Sequence, residues 1–163
     1  NYWAKYAYQF FHEFCHYMTK TITKNWFLEA LCELASLFFL RKLSKTWLTI
    51  SLTEHPACKN YHTSFFNYAQ DIIDSVQIPD SMVKWYDTHK DELQKNSTNR
   101  DLNKVVAKYF LPYFDENPGI WNIVCFTPFE DITDFPIFMS KWIENCPVIY
   151  KRHTQKFISD LGL

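Results

Sequence analysis

An all-α protein is the fold this sequence predicts, on three observations. Glycine occurs only twice in 163 residues, whereas tight hairpins and phosphate-cradling loops both depend on it. Sandwiches, barrels and nucleotide-binding loops are therefore disfavoured. The apolar fraction is 47% and the aromatic fraction 19%, which at this length predicts one domain over residues 1–163 with a real core. Apolar residues also recur at helical spacing through most of the chain, between residues suited to capping.

Residues 2–19 read as a first helix and the polar, aperiodic residues 20–25 as a connection. Asn25 is suited to cap a second helix over about 26–47, whose Leu31, Leu34, Ala35, Phe38 and Leu43 mark a buried element. Residues 49–59, with Pro56, form a loop, and about 60–163 a helical lobe. Phe65, Ala69, Ile72 and Ile73 set a helix over 61–76; Asp80 and Ser81 cap the next, to about Gln94. Thr98 or Asn99 caps a helix from Arg100 to about Phe114, with Leu102, Val105, Val106, Tyr109 and Phe110 on one side. Residues 121–126, carrying Ile123 and Val124, are the one stretch of strand character and read equally as a buried loop or a short strand. Asp134 caps a helix over 135–145 with Pro136 in its first turn, and Gly162 closes a last helix over about 148–160. That makes about seven helices.

The net charge is −1 with both signs interspersed, against the basic clustering of a nucleic-acid surface. No apolar run approaches the eighteen or so residues of a membrane span. Five cysteines without paired spacing do not describe a disulfide framework, so a reducing, cytoplasmic compartment is favoured over secretion. No signal peptide is visible, and a start at Asn1 suggests a processed piece of a longer chain.

The chemistry is concentrated in the first two helices. Residues 12–16 spell His-Glu-x-x-His, and positions four apart share a helix face, so His12 and His16 present two imidazoles to one metal ion. Glu13 is offset from that face and suits a general base acting on a water activated by the metal. Thirteen residues beyond His16, the second helix carries Glu29 and Glu33, again four apart, on an otherwise apolar element. Buried carboxylates there need partners, and a metal with its bound histidine would provide them. Zinc is the expected ion for two imidazoles and a carboxylate; manganese or iron would be decided by geometry. On spacing alone, either Glu29 or Glu33 could be the third ligand.

Trp26-Phe27-Leu28-Glu29 with Glu33, set beside the His pair, resembles the gluzincin metallopeptidases over about residues 8–40. The resemblance implies Glu29 as third zinc ligand, Glu33 as the acid that hydrogen-bonds a ligand histidine, and a peptide or protein substrate. The step from His16 to Glu29 is shorter than is usual for that family, and Leu28 and Ala30 replace the asparagine and glycine common there. The family also sets a small sheet before its first helix; here either such strands lie upstream of Asn1 or the substrate is held differently.

An oxyanion donor from the later helices is a further expectation, with Tyr113, Tyr150 and His153 as candidates that no motif separates. His55, His62 and His89 read as surface or loop residues, and Cys15 and Cys32 as core packing rather than ligands. The function expected is therefore peptide-bond hydrolysis with zinc. The alternative is a zincin-like, metal-holding interaction module without catalysis.

Overall fold

The computed structural model describes residues 2–19, 25–50, 55–56 and 58–163. Among the described residues seven α-helices follow one another: α1 (Tyr2–Thr19), α2 (Trp26–Trp47), α3 (Tyr61–Ser75), α4 (Met82–Lys95), α5 (Arg100–Glu116), α6 (Phe135–Asn145) and α7 (Val148–Leu161). A 3-10 segment, Pro118–Phe126, stands between α5 and α6, and no strand occurs among the described residues. The all-α expectation holds, with helix limits within two residues of those predicted. Residues 20–24, 51–54 and 57 of the two predicted connections lie outside the described residues.

The strand character of residues 121–126 does not become a strand. A strand needs a partner to pair with, and every neighbour here is helical. The segment instead coils into 3-10 turns that bury Ile120, Ile123 and Val124. The Trp142 indole N–H donates to Ile123 O at 3.0 Å and ties the segment to α6.

The caps act as their residue types demand. Asn25 accepts from Phe27 N at 2.9 Å, Ser81 from Lys84 N, Asn99 from Asp101 N and Leu102 N, and Asp134 from Ile137 N at 2.9 Å. Each satisfies a backbone donor the helix cannot. Gly162 ends α7 with φ 78°, where a Cβ would also stand 2.6 Å from a Val83 methyl. Pro112 lies inside α5 at an exposed position.

α2 is the axis of the molecule. It packs against α1, α3 and α5, and between Trp26 and Leu40 only Glu29 and Phe39 are not fully buried. A helix apolar nearly all round belongs in the interior. Its Phe27 meets Phe110, Phe135, Trp142 and Phe157, and Phe114 stacks on Phe157 at 5.9 Å. Fully buried Ala4, Ala35, Ala69 and Ala107 stand on α1, α2, α3 and α5, where a small side chain lets backbones approach closely.

Two polar ties fix α1 in place. The Ser36 hydroxyl donates between Tyr8 O (2.9 Å) and Cys32 O (3.0 Å), binding the middle of α1 to α2. The Thr127 hydroxyl donates to Thr19 O at 2.7 Å and secures the end of α1 to the segment after Phe126. The outer face of α1 is aromatic and exposed: Tyr2, Trp3, Tyr6, Phe10, Phe14 and Tyr17.

Phe27→Ala is expected to destabilise the protein by about 3–5 kcal/mol, the usual effect of emptying a packed aromatic site. Phe10→Ala, at an exposed position, should stay within about 0.5 kcal/mol. Urea unfolding followed by circular dichroism measures both, and equal effects would contradict the assigned core.

Candidate metal centre

The helical register of α1 sets out the site. Tyr8, His12 and His16 succeed one another at four-residue steps and face α2, and α2 answers with Glu29 and Glu33, also one turn apart. The two imidazole rings lie with centroids 5.0 Å apart and planes at 68°.

The two acids meet different atoms. Glu29 Oε2 lies 3.4 Å from His12 Nε2, and its Oε1 3.6 Å from His16 Nε2. Glu33 Oε1 lies 3.7 Å from the other nitrogen of His12, Nδ1. Glu29 thus faces Nε2 of both histidines, one oxygen to each, and Glu33 stands behind His12. The spacing alone left these places interchangeable; the helix crossing separates them.

These separations fit a shared ion better than hydrogen bonds. Good N–H···O bonds span about 2.7–3.2 Å, and all three contacts are longer. Donors around a tetrahedral zinc ion, with bonds of about 2.0–2.1 Å, stand about 3.3–3.5 Å apart. Glu29 Oε2 keeps such a distance to His12 Nε2, and Oε1 stands slightly farther, at 3.6 Å, from His16 Nε2. His12 Nδ1 and Glu33 Oε1, both buried, make no hydrogen bond. Orphaned polar atoms in an interior are uncommon, and a cation on the far side of His12 would give their pairing a purpose by orienting the ring.

Glu33 is 1% exposed. The Tyr8 hydroxyl donates to its Oε2, and Arg100 Nε approaches Oε1 at 3.8 Å from the solvent side. Burial, then the Glu33 charge, raises the Tyr8 phenol, which stays protonated and able to donate. Burial pushes the Glu29 carboxyl up, but contacts with His12 and His16 and their charge outweigh it and bring it down to about 2. Contact with Glu29 raises the His16 imidazole against the opposing effect of burial.

Glu13 is exposed and accepts from Gln9 Nε2 at 2.6 Å, free of the ligand face as its register requires. The expected oxyanion candidates are brought together elsewhere. The Tyr113 hydroxyl lies 2.6 Å from His153 Nδ1, and the Tyr150 ring stands 6.5 Å from His153. This cluster lies between α5 and α7, and among the described residues no hydrogen bond, ion pair or ring contact joins it to His12, His16 or Glu29. His62 and His89 are partly exposed, the latter stacked on Trp85; His55 is exposed.

Three side chains near the cluster carried no signal that sequence reading used. Tyr8 had one, four residues before His12. Arg100, and Tyr68 whose ring stands 5.6 Å from that of Tyr8, had none, since they arrive on α5 and α3 from distant parts of the chain. Cys32, expected to serve packing alone, is fully buried beside Cys15, and its sulfur also groups with nitrogens of His12 and His16, all within 4.8 Å of one another. An apolar hollow of about 180 Å³, lined among others by Phe11, Cys15, Phe39 and Trp121, opens on another face of α1 from the histidines. No family model, curated protein or solved structure matches the chain.

The signs of the two shifts fix how the metal-free protein responds to pH. A lowered Glu29 adds stability above its ordinary 4.5 and loses it as pH falls toward about 2. A raised His16 adds stability below its ordinary 6.5 and loses it as pH climbs through its raised value. With EDTA present, urea midpoints should therefore be highest between those ordinary values. Glu29→Gln should flatten both flanks; an unchanged profile would refute the pairing.

Proposed function

We propose that this protein is a zinc-dependent peptide hydrolase. The observation that supports the reading most is the Glu29 carboxylate set at 3.4 and 3.6 Å from the Nε2 atoms of His12 and His16. His12, His16 and Glu29 would hold the ion. When bound, zinc lowers the pKa of a water molecule and polarises a carbonyl.

The chain's own residues divide the remaining tasks. Glu33 faces Nδ1 of His12 and keeps Nε2 turned toward Glu29. The Tyr8 hydroxyl holds Glu33, and Arg100 balances its charge, so the carboxylate is steady although it is buried. Glu13, exposed one position round from His12, has the reach and freedom to accept a proton at its carboxylate and return it to a leaving amine. His16 is the more open of the two imidazoles, with its side chain 33% exposed, and marks the side from which a substrate arrives.

One observation favours a second reading, a metal-held interaction module without catalysis. The exposed aromatic face of α1 is the kind of surface a partner covers, and a structural metal beneath it would stiffen the helix that bears it. No helix of the described residues is long and apolar enough to cross a membrane.

Purified protein is expected to carry stoichiometric zinc. Glu13→Gln should keep the zinc and slow cleavage of a mixed quenched-fluorescent peptide library by on the order of 10²–10⁴-fold, the usual worth of a general base. His12→Ala should lose the zinc. Full activity in the first variant or full zinc in the second refutes the mechanism; zinc without any cleavage by the unaltered protein favours the interaction module.

A further inference from the structure

We infer that Cys32 is a fourth protein donor to the metal, so that with no substrate present the site is closed by a thiolate. The inference rests on the reading that His12 and His16 hold an ion.

Position is the first support. Cys32 lies three residues after Glu29 and one before Glu33, on the face of α2 that meets the His pair, and its sulfur and an imidazole nitrogen from each histidine lie within 4.8 Å of one another. Contraction of about 1 Å would bring those atoms to the edges of a tetrahedral site. Nothing else on α2 facing α1 offers a donor between the two acids.

Burial is the second. Cys32 is 0% exposed, and Cys15, between the two histidines on α1, packs against it together with Ala35 and Val124. That packing holds the sulfur in place and keeps water from it. A cysteine serving only as a small apolar residue could occupy any position of this interface, yet this one shares its surroundings with two imidazoles that also face Glu29.

Chemistry is the third. Sulfur is a strong zinc ligand, and two imidazoles, a carboxylate and a thiolate complete four-coordination. As the metal enters, the S–H bond of Cys32 gives way to a sulfur–metal bond and the proton leaves to bulk water; departure of the sulfur reverses the step. Catalysis by such a site requires Cys32 to yield its place, and Cys32 would then govern when the site is open.

Cobalt(II) tests this without recourse to activity, because thiolate ligation gives a sulfur-to-cobalt charge-transfer band in the near ultraviolet. The unaltered protein, stripped with a chelator and reloaded with cobalt, should show the band. Cys32→Ser should bind cobalt and lose it; Cys15→Ser should retain it. Cobalt bound without the band, or a band that survives Cys32→Ser, overturns the donor assignment and leaves the metal reading intact. Failure of the unaltered protein to bind cobalt overturns both. The unaltered protein's spectrum decides the matter even if a variant does not fold.

Discussion

Glu33 is a carboxylate enclosed by the most apolar helix of the molecule, and much of the α1–α2 arrangement follows from satisfying it. An isolated charge in such a place is strongly unfavourable. The chain surrounds it with three groups from two other helices: the Tyr8 hydroxyl and His12 Nδ1 from α1, and Arg100 from the start of α5. The two from α1 depend on a particular crossing of α1 over α2, which the Ser36 hydroxyl pins by its bonds to Tyr8 O and Cys32 O. Slide α1 by one residue and the acid loses all of its α1 partners at once.

That constraint carries over to the other acid. With Glu33 occupying the space behind His12, the ring must turn Nε2 toward Glu29, and the four-residue step to His16 brings the second imidazole to the same carboxylate. The polar cluster is graded as a result. Its inner end is buried and holds Glu33 and Cys32; its outer end, at His16 and Glu13, meets solvent. A site of this kind admits a ligand from one side only.

How much of this was legible in the sequence depended on range. Capping is local chemistry, so Asn25, Ser81, Asn99 and Asp134 could be read directly, and with them the helix starts. Periodicity exposed the burial of α2 and the pairing of His12 with His16 and Glu29 with Glu33. Which acid faces which nitrogen was not legible, because that is fixed by how two helices cross. Arg100 was invisible for the same reason, since it meets Glu33 only after α3 and α4 have returned the chain. The 3-10 segment stayed open between a buried loop and a short strand because Ile123 and Val124 advertise a strand, and no strand occurs among the described residues to pair with it. Cys32 was discounted because a thiol within an apolar run looks like packing, and only its approach to two imidazoles distinguishes it.

The two helices of the site differ in how they are held, and this bears on kinetics. α2 is walled in on nearly every side, so its amide hydrogens exchange with solvent only when the whole molecule opens. α1 is an edge element whose outer aromatic face is largely exposed, with Trp3 set 6.3 Å from the Tyr61 ring of α3. An ion bridging them would join the most enclosed helix of the protein to one at its edge, and would leave by α1 lifting away, His12 and His16 together, while Glu29 stayed behind. The release rate of the ion and the opening rate of α1 would then be the same number.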